Sequence, residues 1–278
     1  MIPASFEYRR AGSVDEALGW LAEDPDGTKL LAGGHSLLPL MKLRLATPAV
    51  LVDIGRVPDL SYVTDAGDHV AIGALTRHRD VEVSDVARAE VPLLSHVAGQ
   101  VGDPQVRHRG TIGGSLAHGD PASDLPAAVL ALGATLVVQG PGGTRDVAAD
   151  DFFRGFLETA VGPDEMLVEI KVPKTRGGWA FQKFNRRAQD WAIVGVAAVV
   201  DANGSGGRVA LVNMGSTTVR ARGTEEALAS GADAADAAAR AADGLEPPSD
   251  LHASAEYRRH LATVLVRRAI EEATAGRA

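Results

Sequence analysis

Apolar positions in the first 55 residues change their spacing twice. Val14, Ala17, Leu18 and Leu21 recur at helical intervals, which predicts a helix over residues 13–23 with one buried face. Ser13 is placed to cap it, Glu16 to complete a capping box, and Pro25 and Gly27 to stop it. Lys29 to Ala32 then reads as a short strand and Val50 to Ile54 as a second one. Between them, Pro39 allows only a short helical turn within Leu37 to Leu45. The pattern predicts a small α/β unit ending near residue 55.

The next stretch predicts a strand over 69–74 after the turn residues 65–68, and helices over 77–85 and 92–99. Residues 101–110 show no sustained period and read as a loop. A short buried helix over 126–132, a strand over 134–139 and a turn over 140–143 follow. From 166 to 172 the pattern alternates, with Met166, Val168, Ile170 and Val172 on one face. That leaves Leu167, Glu169 and Lys171 on the other, so Leu167 is an apolar residue on a polar face. Gly177-Gly178 marks a boundary. Beyond it come expected strands at 181–184, 193–200 and 208–214, with a turn at 203–207. Thr224 and Asp233 are expected caps of two Ala-rich helices. Pro247-Pro248 breaks the chain, and a long last helix follows Ser254, with Tyr257, Leu261, Val264 and Leu265 on one face. Strands followed by helices predict an α+β C-terminal domain.

Composition narrows the chemistry. A chain of 278 residues is long enough for two domains. A net charge of -8 argues against non-specific nucleic-acid binding. Cysteine is absent, so this chain alone builds no disulfide, thiolate zinc site or iron–sulfur cluster. The eight histidines form no close metal-binding pair, and no metal site is expected. The first residues lack a basic region followed by a long apolar run, so neither a signal peptide nor a spanning helix is expected, and a cytoplasmic protein is.

Two glycine motifs carry the candidate chemistry. The first is Leu31-Ala32-Gly33-Gly34-His35-Ser36, and the second is Thr111-Ile112-Gly113-Gly114-Ser115, with Asp120 and Asp124 after it. Backbone N–H groups hold a pyrophosphate where no side chain blocks their approach. The motifs match neither the dinucleotide fingerprint nor the Walker loop. Taken alone, the first is better explained by a tight strand-to-helix turn. Asp124 suits a ribose hydroxyl, and it also suits a helix cap before Pro126.

With Met41-Lys42-Leu43-Arg44, Asp103-Pro104-Gln105-Val106-Arg107, Gly119-Asp120-Pro121 and Phe181-Gln182-Lys183-Phe184 with Asp190, these motifs make the sequence similar to a known family. It resembles the FAD-binding medium subunits of molybdenum hydroxylases, the carbon monoxide dehydrogenase and xanthine dehydrogenase group, over nearly its whole length, including the start Met1-Ile2-Pro3. The carbon monoxide dehydrogenase type is the nearest subgroup. The resemblance implies an α+β, two-subdomain FAD-binding fold of the vanillyl-alcohol-oxidase-like kind over residues 1–176, divided at 55/56. A C-terminal α+β domain of the CO dehydrogenase flavoprotein type would occupy 177–278. It implies that Ala32, Gly33, Gly34, His35 and Ser36, with Leu37, and Thr111, Ile112, Gly113, Gly114 and Ser115 bind the pyrophosphate. Val101 counts among the cofactor-binding residues, Asp124 would lie near the ribose or its phosphates, and Leu167 would border the flavin. Lys183 would lie near the isoalloxazine ring, or else be a surface lysine on an edge strand. Trp191, where close relatives have tyrosine, would cover a flavin face or pack in the core. Ser115 stands where many relatives have asparagine.

The implied function is electron relay. FAD would pass electrons from [2Fe–2S] clusters on an iron–sulfur small subunit to an external acceptor. The substrate, carbon monoxide in the nearest subgroup, would be oxidised on a molybdenum large subunit within a dimer of heterotrimers, in the cytoplasm or at the inner face of the membrane. No catalytic side chain and no metal ligand is expected on this chain. Two other readings stay open: a stand-alone FAD-dependent oxidoreductase of the same fold, and a non-enzymatic nucleotide-binding module.

Overall fold

The computed structural model describes residues 2–202 and 206–276. Its first unit is a three-stranded parallel sheet with Val50–Asp53 between Glu7–Arg10 and Thr28–Leu31. The strand at 7–10 lies outside the elements expected from the sequence. Helix Val14–Glu23 buries Ala17, Leu18 and Leu21. The Ser13 hydroxyl accepts from the Glu16 N–H at 3.1 Å, and Glu16 accepts in return from Gly12 N–H at 2.6 Å. The reciprocal cap forms, displaced by one residue at its return bond.

The second unit is a five-stranded antiparallel sheet in the order Val63–Asp65, His69–Gly73, Met166–Pro173, Thr135–Gly140, Gly143–Ala148. Ser84 breaks the helix expected over 77–85 into His78–Val83 and Asp85–Glu90, capping the second by accepting from Ala87 N–H. The expected loop at 101–110 contains a short helix, Pro104–Arg107, started by the Asp103 side chain and by proline at its first position. Helix Asp124–Leu132 starts two residues before the expected bound, and every one of its residues is buried.

The alternation read over 166–172 is wrong after its first residues. Pairing with Thr135–Gly140 slips between Leu167 and Glu169, a β-bulge that moves the later side chains to the opposite face. Leu167, Ile170 and Val172 therefore share the central core, whereas Met166 and Val168 join the core of the first unit.

The C-terminal antiparallel sheet runs Gly178–Phe184, Val194–Val200, Gly207–Val212, Val219–Arg220. Ala197, Ala210 and Val212 face the central core, while Val196, Ala198, Val209 and Leu211 face the C-terminal helices. Burial on both faces explains its near-continuous apolar runs. Thr224 is not a cap: helix Arg222–Ala229 starts earlier, and the buried Thr224 hydroxyl donates to Ala237 C=O at 3.0 Å. Asp233 caps helix Ala234–Ala239 as expected. The last helix, Ala255–Ala275, is capped by Ser254. Its buried face is Arg258, Leu261, Ala262, Leu265, Val266, Ala269, Ile270 and Ala273, so the predicted face was rotated and Tyr257 is exposed. In the turn expected at 203–207, residues 203–205 lie outside the described residues, as does Met1.

Candidate cofactor site

Strand Thr28–Leu31 ends in the first glycine motif, and helix Leu37–Lys42 begins directly after it. Gly34 sits at φ +77°, a left-handed conformation that glycine adopts without the Cβ clash. Gly33 passes so close to the neighbouring chain that a Cβ there would meet Arg109 O at 2.5 Å and Gly110 Cα at 2.8 Å. Among the described residues, the N–H groups of Gly33, Gly34, His35, Ser36 and Leu37 donate to no protein acceptor. These five residues line a cavity of about 660 Å³ between the first two units. Unpaired backbone N–H groups around a cavity are a ready anion cradle.

The second glycine motif differs from expectation. It is the first turn of helix Ile112–His118, not a loop. Thr111 caps it by accepting from Gly114 N–H at 3.1 Å. The N–H groups of Ile112, Gly113 and Ser115 donate to Thr76, Ala74 and Thr111 carbonyls. Four of its five backbone donors are thus already satisfied, and the Thr111 N–H has no acceptor among the described residues. Gly113 allows close packing instead, since a Cβ there would lie 2.5 Å from Ala74 O. The motif supplies wall and spacing, and the first motif supplies the free N–H groups. The two meet where the Gly33 backbone crosses Arg109 and Gly110.

Across the cavity lies a buried ion pair. Lys183 Nζ donates to Asp124 Oδ2 at 2.6 Å and to the Gln100 carbonyl at 3.1 Å. Asp124 is not the cap of its helix, since Ser123 holds that position and Asp124 is the first helical residue. Its second oxygen, Oδ1, is buried without a partner among the described residues. Burial pushes the Asp124 carboxyl up to about 6, with the Lys183 ammonium pulling the other way. Lys183 does sit on an edge strand, but its side chain is buried against Asp124.

The cavity gathers every candidate residue except Ile112, whose side chain is fully buried in the central core. Val101 and Leu167 form part of its wall. Trp191 is 59% exposed at its mouth, so core packing does not explain that residue. Lining residues that carried no sequence signal include His78, Leu157 and Glu165. Leu157 holds φ 56°, rare for leucine, at the tip of hairpin Phe153–Thr159.

Burial pushes the His78 imidazole down to about 4, helped by the His35, Arg77 and Arg107 charges, so it is neutral near pH 7. Its stabilising effect is complete above about pH 6.5 and is lost as pH falls toward 4. Asp124 acts in the opposite sense. Its effect is complete below about 3.8 and is lost as pH rises through about 6. The two offset one another over most of that window. Asp124→Asn leaves the His78 effect unopposed, so its stability should fall by roughly 2–3 kcal/mol more than the parent's between pH 6.5 and 4. Urea unfolding of the flavin-free proteins checks this, and parallel profiles would refute it.

An adenine dinucleotide fits these features. The free N–H groups suit its pyrophosphate, and the orphaned Asp124 Oδ1 suits a hydroxyl donor. Residues 4–175 match the family model described as the FAD binding domain in molybdopterin dehydrogenase. Residues 179–273 match the CO dehydrogenase flavoprotein C-terminal domain. The chain is 44% identical to the carbon monoxide dehydrogenase medium chain of Hydrogenophaga pseudoflava, with 99% of each chain covered. It is 39% identical to the 6-hydroxypseudooxynicotine dehydrogenase complex subunit alpha of Paenarthrobacter nicotinovorans, covering 98% of this chain and 96% of that one. Among solved structures, the H. pseudoflava carbon monoxide dehydrogenase lacking the Mo-pyranopterin moiety of its cofactor superimposes with a TM-score of 0.95 at 44% identity, covering 100% of both chains. Cavity, family models and relatives agree: this chain belongs to the FAD-binding medium subunits of the molybdenum hydroxylases and is an oxidoreductase subunit of the carbon monoxide dehydrogenase medium-chain type.

Proposed function

We propose that this chain is the electron-relay subunit of a molybdenum hydroxylase, and the five unpartnered N–H groups of residues 33–37 carry that reading. They would hold the pyrophosphate of FAD, with Thr111 to Ser115 forming the wall that faces them. Asp124 would accept from a ribose hydroxyl through Oδ1, and Lys183 would set a fixed positive charge beside the flavin. Leu167 and Val101 would exclude water from it, and Trp191 would cover it at the cavity mouth. Bound FAD would supply the capacity to accept electrons from partner clusters and release them to an external acceptor. The lysine charge favours a reduced, more negative ring.

The partners in this reading are an iron–sulfur small subunit and a molybdenum large subunit, assembled as a dimer of heterotrimers. The 44% identity to a carbon monoxide dehydrogenase medium chain favours carbon monoxide as substrate, oxidised on the large subunit. The matched ranges 4–175 and 179–273 support a domain division at 176/177. No helix among the described residues is long and apolar enough to cross a membrane. The proposed location is the cytoplasm, with any membrane contact made through the complex.

Purification through a tag on this chain tests the reading. The expected product carries one FAD per chain, a cysteine-rich small subunit and a molybdenum subunit, and its flavin bleaches under carbon monoxide. A flavin that bleaches with an organic substrate on the isolated chain would establish the stand-alone oxidoreductase instead. A well-folded complex without FAD would leave only a nucleotide-binding module.

A further inference from the structure

Trp191 stands between the cofactor cavity and a second one of about 710 Å³. Among the described residues it makes no hydrogen bond and packs on no other aromatic ring. Neither stacking nor hydrogen bonding of its own anchors the indole. The next two residues are fastened instead. Ala192 C=O accepts from the Asn213 side-chain amide at 3.0 Å, and Ile193 C=O accepts from the Arg258 guanidinium. Two consecutive carbonyls thus take side-chain donors from distant parts of the chain, both of which line the second cavity and not the first.

Asn213 follows strand Gly207–Val212 and holds φ 62°, a left-handed conformation that asparagine tolerates better than most residues. Its N–H donates to Pro121 C=O at 2.7 Å while its side chain reaches Ala192. It therefore links the Asp120-Pro121 motif, which leads into Asp124, to the segment that carries Trp191. Arg258 lies in the first turn of the last helix and is fully buried. Its Nη2 donates to Asp250 Oδ2 at 2.6 Å and its Nε to Pro248 C=O at 3.0 Å. Only a planar fork of donors spans these acceptors and Ile193 C=O together. An apolar side chain would fill the same volume without the cost of desolvating a charge, so packing alone does not account for arginine here.

We propose that Asn213 and Arg258 are positioning residues that hold the Trp191 indole over the flavin. The inference rests on the relay reading above, in which Trp191 covers the flavin at the cavity mouth. With the carbonyls of residues 192 and 193 fixed, the indole keeps little more than its two side-chain torsions. A cover restrained in this way loses less conformational freedom when the cofactor is bound. An electron-rich ring face and the exclusion of water both disfavour added negative charge on the flavin, so loss of the cover raises its midpoint potential.

The test uses the complex purified with its native partners. It reads the rate of FAD release, from the emission of freed flavin, and the flavin midpoint potential, from an EPR-monitored redox titration. Trp191→Ala sets the scale and should release FAD at least about fivefold faster, with a higher potential. Asn213→Gly deletes only the side-chain donor, because glycine adopts φ 62° freely and keeps the N–H bond to Pro121. It should release FAD about two- to fivefold faster and also raise the potential. In the Trp191→Ala background the same substitution should change the rate by less than about twofold and leave the potential where it is. Equal effects in both backgrounds would show a merely structural asparagine and overturn the proposal, as would parental release and potential in Asn213→Gly itself. Should that variant not fold, Arg258→Lys, which keeps a charge beside Asp250 and gives up the fork, is read in the same cycle. A flavin unaffected by Trp191→Ala leaves no cover to hold, which overturns the positioning and leaves the relay reading intact. A parent without FAD overturns both.

Discussion

Gly33→Val is expected to reduce bound FAD to below about a tenth of one per chain. A Cβ at this position would lie 2.5 Å from Arg109 O and 2.8 Å from Gly110 Cα. Both are backbone atoms, so no side chain can swing aside, and the two glycine motifs must separate. Separation dissolves the convergence of the five free N–H groups. Each hydrogen bond to a charged group contributes about 1.5–3 kcal/mol, so losing two weakens binding by about a hundredfold or more. Gly114→Ala is the contrasting variant. Its Cβ would meet only the Thr111 hydroxyl closely, at 2.7 Å, which perturbs the helix cap and leaves the free donors in place. Released-flavin absorbance of the purified complexes measures both. Full FAD content in Gly33→Val would refute the cradle.

Lys183→Met should destabilise the fold by about 3–5 kcal/mol near pH 8, the usual loss when one partner of a buried pair is removed. Asp124 Oδ1 already lacks a partner, and the substitution would strip Oδ2 as well. The carboxyl then responds by binding a proton, so its pKa rises further above its present value of about 6. The loss should therefore shrink as pH falls toward 5, because a protonated Asp124 has no charge to leave uncompensated. Adding Asp124→Leu should recover most of the stability while FAD affinity stays low. Urea midpoints at pH 5 and 8 check this, and a loss under about 1 kcal/mol at pH 8 would show that water reaches Asp124 in place of the lysine.

The offset between Asp124 and His78 has a functional counterpart. A neutral imidazole beside the cradle adds no positive charge near neutral pH. The Asp124 carboxyl, raised to about 6 by burial, neutralises its Lys183 partner above that pH and exposes the positive charge below it.

The motifs were legible in part, because the requirement at Gly34 is local while those at Gly33 and Gly113 come from Arg109, Gly110 and Ala74. Gly34 needs its left-handed turn, and Thr111 caps within three residues, so both leave marks in short sequence. Ser13, Asp233 and Ser254 caps were readable for the same reason. The pairing of the Ile112 and Gly113 N–H groups was not legible, because their acceptors, Thr76 and Ala74, come from a segment over thirty residues away. Thr224 was misread as a cap because its true partner, Ala237, belongs to the next helix.

By itself the sequence determined the family, the cofactor class, many of the elements and the absence of thiolate chemistry. Those follow from residue identity and short-range spacing. Tertiary structure decided which glycines cradle and which only pack. It also turned Leu167 into the core through a one-residue bulge, buried Lys183 on an edge strand against Asp124, and set Trp191 between two cavities. Each outcome depends on atoms distant in sequence meeting within a few ångströms, and burial and the satisfaction of polar groups are decided only at that point.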